Sequence, residues 1–252
     1  MIVIKCGGSV LHELSPSFFT SVKQLRDSGL DVVIVHGGGP DIEQLLQALN
    51  IPSEFVNGLR KTTKDVLHVV EMVLNGKVNK TLVSLLQTNG IRAVGLSGVD
   101  DGLLQAKPID VQTLGYVGEV AHVHAKIMHT LLRHGYVPVI APIGVDEQGQ
   151  TYNINADTAA AAIAQALSAD KLVFVTDVAG ILKNGKVVKE ATAPMIETMM
   201  ADGTISGGMI PKVKAALHAL DSVQEVAIVS GKASFYNEGT WHGTMMKKEV
   251  YV

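Results

Sequence analysis

A single cysteine, Cys6, leaves this 252-residue chain no partner for an internal disulfide. Aromatic residues make up only 4% of it against 47% hydrophobic residues in all, so the core must be assembled from Val, Ile, Leu and Ala. Cores of that kind belong to parallel sheets covered by helices on both faces. Lysine and arginine, 21 together, are outnumbered by 24 acidic residues, and no basic run tracks a phosphate backbone, which argues against a nucleic-acid partner. Long apolar runs are missing too. Nothing approaches the ~18 residues of a membrane span, and the opening Ile2-Val3-Ile4 is too brief for the apolar region of a signal peptide. These absences predict no membrane partner and a cytoplasmic address.

What is present is alternation. Short apolar runs at 1–6, 32–35, 91–96, 137–141, 172–176 and 225–229 are separated by helical periodicities near 16–28, 40–49, 63–89, 125–134, 156–168, 193–202 and 209–220. Strand–helix alternation predicts an α/β fold, a mostly parallel sheet wrapped on both faces. The segment 63–89 is the most periodic, with Val66, Val69, Val70, Val73, Val78, Leu82, Leu85 and Leu86 on one stripe behind a Thr62–Asp65 capping pattern; Gly76 weakens it. From 103 to 123 an alternating pattern broken by Pro108 and Gly115 predicts a β-hairpin excursion. Residues 1–252 read as one domain with a soft lobe boundary near 155–170, and 234–252 read as a short ending with turns at Gly239 and Gly243.

Three glycine-rich elements fall at strand-to-helix junctions: Lys5-Cys6-Gly7-Gly8-Ser9, His36-Gly37-Gly38-Gly39-Pro40 and Ser206-Gly207-Gly208-Met209. Backbone amides exposed there, beside a positive helix end, favour anions, and glycine lets the backbone approach a phosphate closely. One such element is an ordinary tight turn; three point to a polyanion. Gly180 to Val187 misses the Walker A motif because Val187 lacks a hydroxyl for Mg²⁺, and it reads as a turn between short strands. No G-x-G-x-x-G opens the first strand–helix unit, which leaves a nicotinamide enzyme without support. Lys5 and Lys212 stand beside glycine turns, where something negative would explain a lysine at a helix start. In Asn153-Ile154-Asn155-Ala156-Asp157, Asn155 reads as a helix N-cap, while alternation would also aim Asn153 and Asn155 to one face as neutral donors. His122 and His124 share a strand face without a third metal ligand at recognisable spacing.

Taken in order, these elements, with Asn57-Gly58-Leu59-Arg60 and Thr176-Asp177-Val178-Ala179-Gly180-Ile181-Leu182, resemble the amino acid kinase family along nearly the whole chain. The resemblance implies a three-layer open sandwich with a mainly parallel central sheet of about eight strands. It implies an acyl-amino-acid lobe at 1–155 and an ATP lobe at 156–252. It is strongest toward members that use Mg-ATP to phosphorylate the side-chain carboxylate of N-acetyl-L-glutamate. It implies that Lys5 and Lys212 are catalytic and that Asp157 holds both. Gly37, Gly38, Gly39, Arg60, Asn153 and Asn155 would bind the substrate. Gly8, Asp177 to Leu182 (Asp177, Val178, Ala179, Gly180, Ile181, Leu182) and Thr204, Ile205 and Ser206 would bind ATP, with Mg²⁺ carried on the nucleotide and no metal held by the chain. Arg60 favours an α-carboxylate to clamp, which sets carbamate and uridylate apart as substrates. Free glutamate and aspartate remain alternatives, as does a non-catalytic nucleotide-binding protein. Family members that form arginine-inhibited hexamers carry a helix before the first strand; with Met1 already at that strand, the expectation is a homodimer insensitive to arginine, paired through 63–89.

Overall fold

Eight strands form the central sheet of the computed structural model, which describes residues 1–248. They are β1 (Ile2–Cys6), β2 (Val32–His36), β3 (Ala93–Ser97), β4 (Val137–Ala141), β5 (Lys171–Thr176), β6 (Glu190–Ala191), β7 (Glu225–Ser230) and β8 (Thr244–Lys247). Their spatial order is β6-β8-β7-β5-β1-β2-β4-β3, with every pair parallel except β7 and β8. The last four residues of the 234–252 ending, and of the domain expected over 1–252, lie outside the described residues.

Successive side chains of a strand face opposite sides of its sheet. Ile2, Ile4 and Cys6 of β1 therefore enter one core, and Val3 enters the other. The first core is closed by Phe18 and Val22 of the helix Pro16–Asp27, by Ile42 and Leu46 of Gly39–Ala48, and by the long helical segment that begins at Lys64. The second is closed by Ala159, Ala160 and Ile163 of Ala156–Ala166 and by Val213 and Ala216 of Met209–Ala219. Helix–sheet–helix layering follows, as the alternation of elements predicted. No helix among the described residues is long and apolar enough to cross a membrane.

Three local features differ from the sequence reading. The 63–89 segment is one rod, but its middle, Met72–Val78, is π-helical around Gly76, between Lys64–Glu71 and Asn79–Thr88. Its cap is Thr63, whose Oγ1 accepts from Val66 N at 3.4 Å; Thr62 is buried and donates to the Arg60 carbonyl at 2.8 Å. The hairpin Leu104–Pro108 with Val117–Val123 does form, and Ile143–Val145 and Thr151–Ile154 close it into a small barrel. Gly180 to Val187, by contrast, is the turn between short strands that the sequence reading expects, with Leu182–Lys183 antiparallel to Lys186–Val187 around Asn184 and Gly185, both at positive φ.

Sheet order places the site. From β1 the chain builds outward through β2 on one side, and β5 later pairs on the other. A crevice at the carboxyl ends of the strands is the expected ligand position at such a reversal. Lys5 to Ser9, His36 to Gly39 and Thr176 to Asp177 all leave the sheet there.

Candidate active site

Gly8 packs against the glycine triplet with no room for a side chain. A β-carbon on Gly8 would lie 2.7 Å from the Gly39 nitrogen and 2.8 Å from that of Gly38. Among the described residues the amides of Gly8, Gly38 and Gly39 donate to no backbone carbonyl, so three N–H groups converge unpaired at the mouth of the crevice. His36 braces this arrangement from below. It is fully buried, its Nδ1 lies 2.9 Å from the Gly37 carbonyl, and its Nε2 lies 3.1 Å from Asn79 Nδ2. Burial lowers its pKa from 6.5 to about 4, so near neutrality the ring donates from Nδ1 and accepts at Nε2. Asn79 passes the tie on to the Val139 carbonyl at 2.9 Å.

On the β5 side the loops enclose a pocket lined by Lys5, Gly7, Gly8, Asp157, Thr176 and Lys212. Lys5 Nζ is 2.8 Å from Asp157 Oδ1, and Lys212 bonds Asp177 Oδ1. The single anchor expected for both lysines is thus two. Asp157, in the first turn of Ala156–Ala166, faces the end of β1, whereas Lys212, in the first turn of Met209–Ala219, meets the residue that follows β5. The hydrogen bond from Lys212 keeps the Asp177 carboxyl below the usual carboxylate range.

On the β2 side a second pocket is lined by Gly37, Gly38, Gly39, Arg60, Asn153 and Asn155, all six residues expected at the substrate. Arg60 is largely buried. Its Nη1 donates to Glu43 Oε2 at 2.7 Å and to Ser53 Oγ, and its guanidinium stacks 4.6 Å from the centre of the Phe55 ring. Asn153 Nδ2 donates to Thr62 Oγ1 at 3.1 Å. Asn155 spends its Oδ1 on the N-cap, accepting from Asp157 N at 2.8 Å and Thr158 N at 3.2 Å, so only its amide nitrogen is left for a ligand. Apolar Leu59, Leu74 and Val117 complete the pocket, and the Gly8–Gly38 contact joins it to the first.

The residues matched to a nucleotide divide. Gly8 and Asp177 adjoin the lysine pocket, Ala179 lines a separate cleft beside Trp241 and His242, and Leu182 is exposed. Ile181 and Ile205 turn their side chains into the second core, leaving only their backbone to a ligand. Val178 N donates to Thr176 Oγ1, Gly180 is held by a positive φ against Thr244, and Thr204 and Ser206 shape the loop before Met209–Ala219. Cys6 is buried, and its thiol is pushed up to about 12 by burial against a smaller opposing effect of Lys5. The His122 and His124 rings lie 4.5 Å apart, edge to face, and among the described residues no group of three or more His, Cys, Asp or Glu side chains could hold a metal.

Residues 1–230 match the description of the amino acid kinase family. The chain belongs to the amino acid kinase family. Within it, the chain is 65% identical over 252 residues to an acetylglutamate kinase of Geobacillus kaustophilus, covering 100% of this chain and 98% of that one. It is 52% identical to an acetylglutamate kinase of Halalkalibacterium halodurans, covering 99% and 97%. A Streptococcus mutans crystal structure superposes with a TM-score of 0.85 at 34% identity, covering 98% of each chain. Carbamate kinase from Giardia lamblia shares the fold alone, with a TM-score of 0.67 at 16% identity and 98% coverage of both chains. The fold that the resemblance implied, with a largely parallel central sheet, is the fold found.

Sequence reasoning missed Glu43, Ser53 and Thr62, which orient Arg60 and Asn153, and it assigned no tie between Asp177 and Lys212. These partners lie 7 to 91 residues from the groups they hold, and no periodicity connects them.

Proposed function

We infer that this protein transfers the γ-phosphoryl group of ATP to the side-chain carboxylate of N-acetyl-L-glutamate. The observation that carries the inference is the junction at Gly8, where three unpaired amides lie between a two-lysine pocket and an Arg60–Asn153 pocket. It stands in a chain 65% identical to an acetylglutamate kinase.

A glutamate side-chain carboxylate, with a pKa of about 4.3, is already a nucleophile at neutral pH, so no general base is required. One carboxylate oxygen attacks the γ-phosphorus as the bond to the β–γ bridging oxygen breaks; the products are an acyl phosphate and ADP. The barrier is the approach of like charges, and positioning and charge stabilisation lower it. Lys5 and Lys212 supply the cations, held in place by Asp157 and Asp177, and the Gly8, Gly38 and Gly39 amides supply fixed dipoles. Arg60 and Asn153 would hold the α-carboxylate and the N-acyl group in the amino-terminal half, with ATP on the carboxy-terminal half. Mg²⁺ would neutralise phosphate charge. Because Asp157 and Asp177 are each taken by a lysine, the ion fits as one carried on the phosphates, which Mg²⁺ favours over an all-protein cage.

The same reading extends to a cytoplasmic homodimer paired through the Lys64–Thr88 rod. There Met72 is 56% exposed, and the Asn75 Oδ1 is buried without a hydrogen-bond partner among the described residues. An isologous pairing is the commonest closed assembly. The activity is tested by ADP release with ATP and Mg²⁺ over N-acetyl-L-glutamate, L-glutamate, L-aspartate and carbamate. Turnover confined to the N-acetylated substrate is the expected result, and equal turnover of free glutamate would overturn the substrate assignment.

A further inference from the structure

Asp41 is the third residue of the Gly39–Ala48 helix, a position where an acid ordinarily sits in solvent and complements the helix dipole. This one does not. Its side chain is 2% exposed, and its two oxygens accept from His12 Nε2 and from Lys77 Nζ, each at 2.8 Å. Burial pushes its carboxyl up, but hydrogen bonds from Lys77 and His12 prevail and keep it below the usual carboxylate range, so it is ionised. An ionised carboxylate withdrawn from water is costly unless its partners are well placed. Helix stabilisation alone gives no reason for withdrawing it.

The partners come from three elements that meet behind the glycine junction. His12 lies in the Leu11–Glu13 turn that follows the Gly7–Gly8 loop, Asp41 in the helix opened by Gly39, and Lys77 in the π-helical Met72–Val78 segment. That segment also backs the triplet, since a β-carbon on Gly38 would lie 2.5 Å from Leu74 Cδ2 and 3.3 Å from Val78 Cγ2. A small open pocket lies beside Asp41, lined by His12 and Lys77 together with Leu11, Val78, Leu82 and Leu85. Leu11, Ile42, Leu46, Leu74 and Val78 pack these elements together in the first core, and the charge cluster ties the same three elements beside the pocket.

We propose that Asp41 is a positioning residue for phosphoryl transfer, holding the Gly7–Gly8 loop and the Gly38 and Gly39 amides at the separation the transferring group needs, through His12 and Lys77. The proposal rests on the kinase reading above. The two fail differently: if the wild-type protein forms no ADP with N-acetyl-L-glutamate, the function is wrong, whereas the proposal is judged only against an active wild type.

The test compares Asp41→Asn, Lys77→Met, Lys77→Arg and the Asp41→Asn/Lys77→Met pair in kcat, in KM for both substrates and in thermal melting. Small misplacements of catalytic groups cost up to about 100-fold, so Asp41→Asn and Lys77→Met should each lower kcat roughly 10- to 100-fold. Both KM values should stay within about threefold, the pattern of an interaction made only in the transition state. Lys77→Arg should recover most of the loss, and the double variant should be no worse than Asp41→Asn. Unchanged kcat in folded Asp41→Asn, or a loss that appears only in KM or only above the melting temperature, overturns the proposal. If Asp41→Asn does not fold, the Lys77 variants decide alone, because Lys77 is half exposed and Lys77→Arg keeps a cation on the buried Asp41 carboxylate.

Discussion

Gly8 and Gly39 touch backbone to backbone, 31 positions apart in sequence, so closely that a β-carbon on the first would lie 2.7 Å from the nitrogen of the second. Neither partner at that contact is a flexible side chain that can swing away. Gly8→Ala must therefore separate the two loops and misplace the Gly8, Gly38 and Gly39 amides that the proposal assigns to the phosphoryl group. The expected result is a loss of roughly 10²- to 10³-fold in kcat, the scale of a lost oxyanion donor, with cooperative unfolding retained. Steady-state kinetics beside a thermal melt checks it, and an active Gly8→Ala enzyme would show that the cradle is not where the chemistry occurs.

Lys5 and Lys212 each sit within reach of one carboxylate and one pocket. Replacing either with Ala should lower kcat by roughly 10²- to 10⁴-fold, by analogy with removal of preorganised donors. Asp177→Asn should cost less, since Lys212 keeps its charge and loses only its tether. A Lys212→Ala enzyme with intact turnover contradicts the assignment.

Arg60 lies in the other pocket, where its Nη2 donates to the Gly39 carbonyl at 3.4 Å, and it does not line the pocket of Lys5 and Lys212. Arg60→Ala should mainly raise KM for N-acetyl-L-glutamate while KM for ATP stays near the wild-type value, the signature of lost ground-state binding. Varying one substrate at a time separates the two constants, and an equal rise in both would place Arg60 elsewhere in the mechanism.

His36 gives the fold an acid limit. Its pKa falls from 6.5 to about 4 on burial, so between those values the unfolded chain binds a proton that the folded one refuses. Stability from this group is complete above pH 6.5 and declines as pH falls toward about 4, by about 3 kcal/mol at the ordinary conversion of pKa shifts. Denaturant titrations along that range should show the decline in the wild type and a flatter profile in His36→Gln. Parallel profiles would mean that His36 is not the group responsible.

Much of this arrangement was legible in the sequence, for identifiable reasons. The short, Val- and Ile-rich runs of β1, β2 and β5 read as strands buried on both faces, and the glycine turns marked the crevice. All six expected substrate residues do line one pocket. The barrel was not legible, because closing it requires Ile143–Val145 and Thr151–Ile154 to find a hairpin more than 20 residues away, and alternation does not encode that pairing. Asn155 fitted a cap and a ligand donor equally well until its Oδ1 was seen on Asp157 N and Thr158 N. Asp41 reads in sequence as an ordinary first-turn acid, since only tertiary structure distinguishes a solvated carboxylate from a buried one.

The central claim is that an acyl phosphate forms on the side chain of N-acetyl-L-glutamate at the Gly8 junction between Lys5 and Lys212. Trapping with hydroxylamine in the presence of ATP and Mg²⁺ tests it most directly, because the hydroxamate reports that product and no other step. The account predicts hydroxamate in proportion to ADP with the wild-type enzyme and almost none with Lys212→Ala; ADP released without hydroxamate, or equal trapping by the Lys212→Ala enzyme, would contradict it.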